Sequence, residues 1–399
     1  MKQNRGEHTR AVHPPVPAPL QQQPVALPVH RSAAYAFASA QEYADLLDGV
    51  VAGYSYARID GPTSDAFAAA VAALEGLGVD GDVVGQPFGS GMAAISTTLT
   101  ALTSAGAHVV APREIYGGTY DLLTRVLARF GVETSFVDLS DLDAVRAALR
   151  PQTRVLWAET LANPTMTVAD LPGLSALARE AGIVLAVDST FASPAMCRPL
   201  EHGVDLVVHS ATKYLGGHSD ATGGVVVGAP ELVAEVRRDR VALGGMLAAD
   251  EAFLLHRGLA TLPLRVERHC RSALAVAQEL QEHPAVEHVE HPGLATHRDH
   301  ELAVKLFDDG RYGGVVSLTP RGGRAEGMAL CDALQLVEVA TSLGGHRSKI
   351  SHVASTTHRQ LGPDALAAAG IGASTVRLSV GLEDSDDLVA DLVQALDAL

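Results

Sequence analysis

Lysine is scarce in this sequence, with four copies at Lys2, Lys213, Lys305 and Lys349, while arginine carries most of the positive charge. A partly buried lysine can shed its proton and attack a carbonyl carbon as an amine, which arginine cannot do. Lys213 is the copy placed for that. It follows the apolar run Val204–Val208 and the polar stretch His209-Ser210-Ala211-Thr212. Upstream, a second apolar run, Ile183–Val187, stops on Asp188. Two runs of buried-strand type thus end on a carboxylate and on an amine, and open parallel sheets bind ligands beyond such strand ends. Lys2 lies in a Pro- and Gln-rich segment and Lys305 on a helical pattern, which leaves Lys349, in GGHRSKISH, as the only rival.

The elements that must position these groups follow from the hydrophobic pattern. Seven runs read as strands: DVVGQPF, AHVVAP, VETSFVDL, RVLWAE, IVLAVD, DLVVHS and GGVVVG. Helical stretches such as MAAISTTLTALTSAG, TYDLLTRVLARFG, LDAVRAALR and LPGLSALAREAG lie between several of them. The alternation predicts an α/β fold, a mainly parallel seven-stranded sheet with helices on both faces. Beyond residue 230 the pattern turns helical, then gives strand-like GGVVSLTP and TVRLSVGL and a last helix, DSDDLVADLVQAL. A smaller α+β domain is expected there. Phe88-Gly89-Ser90-Gly91-Met92 joins the first strand to its helix, where glycines let backbone N–H groups and a helix N-terminus hold a phosphate. A plain tight turn is the alternative, and the full dinucleotide fingerprint is missing. Ser210 and Thr212, converging from another strand end, favour the phosphate.

The stretch SATKYLGGHSD, Ser210–Asp220, resembles the lysine signature of the pyridoxal 5′-phosphate (PLP) enzymes of Cys/Met metabolism. That family holds cystathionine γ-synthases, cystathionine γ-lyases and methionine γ-lyases, and the likeness runs from about Thr9 to the C-terminus. It implies PLP as cofactor, the fold type I of PLP-dependent transferases, and three units. These are an N-terminal arm, 1–64, contributing to a neighbouring subunit's site; a large PLP-binding domain, 65–259; and a C-terminal α+β domain, 260–399.

The site residues carry over one by one. Lys213 would hold PLP and move protons, and Asp188, in VDST where the family has VDNT, would keep the ring nitrogen protonated. Tyr116, in IYGGTY, would stack on the ring and act as acid or base toward the leaving group, with Gly118 where methionine γ-lyases typically carry Cys. Ser90, Gly91, Met92, Ser210 and Thr212 would hold the phosphate together with a neighbour's Tyr56 and Arg58, which match Y-x-R-x-x-N-P-T except that Gly61 replaces its Asn. Asn163, in ANPT, is either an Asn-Pro turn or a contact to cofactor and substrate. Arg377 would clamp the substrate α-carboxylate through its bidentate fork, backed by Ser342. Thr341 stands where cystathionine enzymes usually carry Glu.

The implied activity is γ-elimination, a carbon–sulfur lyase of the methionine or cystathionine γ-lyase type, giving a 2-oxo acid and ammonia. Thr341 tilts it toward methionine-like substrates. The alternative is γ-replacement, as in cystathionine γ-synthase or O-acylhomoserine sulfhydrylase. An aminotransferase shares the fold and the Lys–Asp pair, and a non-catalytic member is set against an intact site. The partner is then a small amino acid, and sites shared between subunits imply a homo-oligomer, a dimer of dimers. A formal charge of −16 argues against nucleic acid or an anionic membrane. Three separated cysteines, Cys197, Cys270 and Cys331, and an N-terminus without an apolar signal core point to the cytoplasm. His283, His288 and His291 fit no zinc spacing, so no metal site is expected.

Overall fold

A computed structural model of the chain describes residues 22–357, 359, 362, 366 and 370–399. The first 21 residues of the expected arm and His358 of the VASTTH stretch lie outside them. The first sheet holds β1 (Val84–Phe88), β2 (His108–Pro112), β3 (Glu133–Val137), β4 (Thr153–Glu159), β5 (Val184–Asp188), β6 (Leu206–Ser210) and β7 (Gly224–Gly228). Their spatial order is β1-β7-β6-β5-β4-β2-β3, and every pairing is parallel except those of β7. The mainly parallel seven-stranded sheet is therefore as expected.

Both faces are covered, and β4 shows why its sequence is apolar throughout. Val155 and Trp157 enter one core while Leu156 and Ala158 enter the other, all four without solvent exposure. Helices Gly91–Leu102 and Pro230–Leu243 cover the first side, and Pro62–Glu75, Leu171–Ala181 and Ala249–Leu259 cover the second. One element departs from its pattern. TYDLLTRVLARFG is not one helix but a short α-turn, Gly117–Asp121, a π-turn, Leu122–Val126, and a 3-10 turn, Leu127–Phe130. The Thr124 hydroxyl donates to the Tyr120 carbonyl at 2.8 Å within this stretch, but Thr98 makes the same bond to Ala94 in the unbroken helix Gly91–Leu102, so that bond does not account for the break.

The second sheet is built from β8 (Val286–Glu290), β9 (Val315–Pro320), β10 (Glu338–Val339), β11 (Lys349–His352) and β12 (Val376–Ser379), in the order β10-β11-β12-β9-β8. Helices Arg324–Ala333 and Ser385–Asp397 pack on it around a separate core. Helix Leu262–Leu280 bridges the two regions: Leu262, Val266 and Cys270 join the larger core, Ala273, Val276 and Leu280 the smaller. The histidine cluster is not uniformly solvated. His288 is exposed, but His291 is fully buried and its Nε2 faces the Gly313 carbonyl at 3.1 Å. Among the described residues no helix is long and apolar enough to cross a membrane, and no three His, Cys, Asp or Glu gather to hold a metal.

Candidate active site

The site forms where β4, β5 and β6 end side by side and the second sheet turns an arginine toward them. Asp188 is the last residue of β5 and pairs in register with Glu159 on β4 and Val208 on β6. Its Oδ1 accepts the Thr190 N–H at 3.0 Å. The Thr190 hydroxyl donates to Asp188 and accepts the Ser210 N–H at 2.8 Å, so one threonine ties the two strand ends together. Burial raises the Asp188 carboxyl, while Thr190 and the charges of His209 and Lys213 oppose that rise.

Past β6 the chain tightens into a turn that carries Lys213, whose N–H donates to the Ser210 carbonyl at 3.1 Å. Its Nζ donates to the Ser342 hydroxyl at 2.7 Å. Burial first, then the charges of Arg377 and Lys349, lower its pKa from 10.5 to about 8, against a smaller opposite pull from Asp188. Ser342 holds a left-handed backbone, φ 79°, uncommon for a residue with a β-carbon, and this kink offers its hydroxyl to Lys213 and its carbonyl to Arg377.

Arg377, on β12, is 4% exposed. Nη1 donates to Asn163 Oδ1 at 3.1 Å and Nη2 to the Ser342 carbonyl at 3.1 Å, which leaves buried Nε without a partner. Burial lowers its pKa to about 10, so the guanidinium stays charged. A buried, charged donor without an acceptor is costly, and an incoming carboxylate relieves that cost.

Tyr116 is 43% exposed, and its N–H donates to Glu159 Oε1 at 2.7 Å. Burial, then Asp188 and Glu159, raise the phenol, and Arg377 opposes them. Glu159 is itself buried, and burial together with Asp188 raises its carboxyl well above the ordinary value, against N–H bonds from Tyr116 and Asn163. Neither Glu159 nor Thr190 was singled out in the sequence. The signal was the register: each acts on a residue of another strand end.

The glycine turn closes the other side. Ser90 caps helix Gly91–Leu102, its hydroxyl accepting the Ala93 N–H at 3.0 Å. A β-carbon on Gly91 would lie 2.5 Å from Ser210 Cβ, so only glycine lets the helix start approach the end of β6. Met92 Sδ and the Tyr116 ring lie 3.0 and 2.6 Å from where a β-carbon on Gly118 would stand. The Thr212 hydroxyl is engaged with Gly223, donating to its carbonyl at 3.3 Å or accepting its N–H at 3.0 Å. Thr341, beside Ser342, is exposed.

Lys213, Asp188, Tyr116, Asn163, Ser210, Ser342 and Arg377 thus meet, with Ser90, Gly91 and Met92 at one edge. Tyr56 and Arg58 do not join them. Arg58 lies 5.7 Å from the Tyr56 ring and donates to the Val241 carbonyl at 2.7 Å. Their loop is fixed from below by Arg240, 2% exposed, which bonds the Arg58 and Ile59 carbonyls and reaches Asp60 at 2.7 Å.

A phosphate-bearing aldehyde with a basic ring nitrogen fits this donor set. The free N–H groups at the start of helix Gly91–Leu102 and the Ser210 hydroxyl suit the phosphate, the Lys213 amine the aldehyde, and Asp188 the ring nitrogen. Comparison with known proteins agrees. A family model described as Cys/Met metabolism PLP-dependent enzyme matches residues 8–397. An L-methionine γ-lyase of Fusobacterium nucleatum subsp. nucleatum is 41% identical over 94% of each chain. A cystathionine γ-synthase of Mycobacterium tuberculosis is 40% identical over 98% of this chain and 97% of that one. A Campylobacter jejuni structure described as an O-acetylhomoserine (thiol)-lyase, carrying a pyridoxyl-lysine monophosphate, superposes with TM-score 0.90. Its identity is 34%, over 94% of this chain and 96% of that one.

Proposed function

The chain belongs to the PLP-dependent enzymes of Cys/Met metabolism, and on that premise we propose that it cleaves the Cγ–heteroatom bond of a γ-substituted amino acid at the Lys213 site. The observation that carries this reading is a lysine of lowered pKa set between a strand-end carboxylate and a buried arginine with a free Nε–H.

PLP bound there supplies an electron sink for the pair released when the substrate loses its Cα proton. The chain's own groups do the rest. Arg377 grips the substrate α-carboxylate through Nε and Nη2, and Asn163 and Ser342 hold the guanidinium in place. Lys213, whose lowered pKa gives it a usable neutral fraction at physiological pH, takes the Cα proton and hands it on, and Ser342 aims its Nζ. Asp188 would hold the ring nitrogen of the bound cofactor and supply the negative charge that keeps it protonated. A second proton is then taken from Cβ, and its electron pair expels the γ-substituent, while Tyr116, fixed through its N–H by Glu159, presents its phenol to the departing group and delivers the proton that lets it leave. A thioether and water then yield a thiol, a 2-oxo acid and ammonia.

Elimination from a thioether such as methionine is the reading the γ-lyase likeness and the exposed, uncharged Thr341 favour. γ-Replacement is the second reading, supported by the nearly full-length likeness to a cystathionine γ-synthase. The exposed positions of Tyr56 and Arg58, away from their own chain's Lys213, support a homo-oligomer, a dimer of dimers, in which each arm serves a neighbour within the division 1–64, 65–259 and 260–399. The free, buried thiols of Cys197, Cys270 and Cys331 suit the cytoplasm.

The test uses purified holoenzyme with methionine, cystathionine and O-acylhomoserines, each with and without an added thiol. A 2-oxo acid without thiol marks elimination; a thioether formed only with thiol marks replacement. A visible absorbance band of lysine-bound cofactor that survives Lys213→Ala would overturn the assignment.

A further inference from the structure

We propose that Lys349 and Ser219 form a binding subsite for an anionic group, a carboxylate or a phosphate, at the far end of the substrate's γ-substituent. The proposal narrows the substrate class of the reading above and rests on it.

Lys349 opens β11 and pairs in register with Ser379 on β12. Ser351, the next residue but one, pairs with Arg377, so Lys349 and Arg377 stand on the same face of the sheet, the face that meets the cluster. Its Nζ donates to the Ser219 hydroxyl at 3.0 Å. Ser219 lies in the turn that follows Lys213 and holds a left-handed backbone, φ 60°, an uncommon conformation for a non-glycine residue. Gly345 completes the corner. A β-carbon there would lie 2.5 Å from Ser219 Oγ and 3.8 Å from Lys349 Nζ, so glycine keeps the space beside the ammonium open. The same strap, Ser342 to Gly345, has the Lys213 amine at its other end. Lys349 is near enough for its charge to act on Lys213.

The ammonium has no carboxylate partner among the described residues. Glu338 is its register neighbour on β10, but that carboxylate binds Arg347 at 2.7 Å. Thr341, at the start of the strap, adds no negative charge. A cation bonded to a single hydroxyl, on the wall beyond the catalytic lysine, has two donors left for an anion. Arg377 takes the α-carboxylate, so the second anion must come from the other end of the molecule.

The test needs no turnover. L-2-Aminoadipate and L-norleucine have the same side-chain length and differ in a terminal carboxylate against a methyl. Their dissociation constants are measured on holoenzyme from the change in the cofactor's visible spectrum. Aminoadipate is expected to bind tighter than norleucine by about 10- to 100-fold, the range of one charge-assisted hydrogen-bonded contact. Lys349→Met removes that preference, Lys349→Arg keeps most of it, and norleucine changes less than about threefold in both, the variation expected of a surface contact. Equal binding of the two by the wild type, or loss of both ligands alike in Lys349→Met, overturns the proposal. Kinetics with O-acetyl-, O-succinyl- and O-phosphohomoserine then separate carboxylate from phosphate. If neither these nor methionine and cystathionine are cleaved while the binding preference stands, the γ-cleavage reading has failed and the subsite has not.

Discussion

Lys213 shows how one residue's surroundings set its chemistry. At pH 7 a lysine of pKa about 8 is about one-tenth neutral, against about one part in three thousand at the ordinary 10.5. Uptake of PLP by the apoenzyme should therefore rise about tenfold between pH 7 and a plateau above pH 8, followed as growth of visible absorbance. A rise still continuing at pH 10 would contradict the lowered value. Stability moves with it. The folded pKa is depressed, so between about 8 and 10.5 the unfolded chain holds the extra proton. The penalty for burying the ammonium is complete below about 8 and is relieved as pH rises through that window. Lys213→Met should abolish this part of the slope in denaturant titrations of the apoenzyme. Glu159 acts through others. Glu159→Ala leaves the N–H groups of Tyr116 and Asn163 without their acceptor and should cost about 1–3 kcal/mol of stability and at least about tenfold in kcat. Glu159→Gln keeps an acceptor oxygen and should restore most of both. Equal loss in the two variants would mean that the charge, not the positioning, matters.

Elements differ in how far their sequences disclose them. The seven strands were legible because fully buried parallel strands are apolar on both faces, as Val155, Leu156, Trp157 and Ala158 demonstrate on β4. The turns carrying Asp188 and Lys213 were legible for the same reason: polarity begins where the apolar run stops. The broken helix after Tyr116 was not, because its apolar spacing is helical throughout. Thr190 and Glu159 were hidden because their partners come from other strands. Gly91 sits between these cases, since the motif was visible and its reason was not. In an unobstructed helix, alanine would gain about 1 kcal/mol over glycine. Here the added carbon meets the β-carbon of Ser210 at 2.5 Å and its α-carbon at 2.9 Å, and backbone cannot step aside. Gly91→Ala should lower the thermal midpoint of the apoprotein and weaken PLP binding by about tenfold or more, from about 1–3 kcal/mol of overpacking. A raised midpoint with unchanged affinity would show that the helix start does not need its close approach.

At the scale of the whole molecule, the N-terminal segment lacks a core of its own among the described residues, which begin at 22. Helix Ala40–Leu47 buries none of its residues, and Tyr43, Leu47, Val50, Val51 and Tyr56 remain exposed along the same stretch. Exposed apolar surface so concentrated calls for a covering partner. The loop at its end is nonetheless firmly built: Asp60 binds Arg240 at 2.7 Å, and Arg240 is buried. A rigid loop that holds Tyr56 and Arg58 outward, away from the Lys213 of the same chain, makes sense if a second copy's phosphate cradle receives them. Complementation tests this at the level of the assembly. Arg58→Ala and Lys213→Ala should each be nearly inactive alone. After co-refolding in equal amounts, about half of the dimers are hybrids, and in each hybrid one site draws Lys213 from one chain and Arg58 from the other. Activity should return to about one quarter of the wild-type level, with the visible band of lysine-bound cofactor returning in proportion. Recovery on this scale cannot come from sites contained within single chains, because every chain in the mixture lacks one of the two groups. If mixing restores nothing while both variants still assemble, Arg58 serves its own chain or none, and the arm's exposed face needs a different partner.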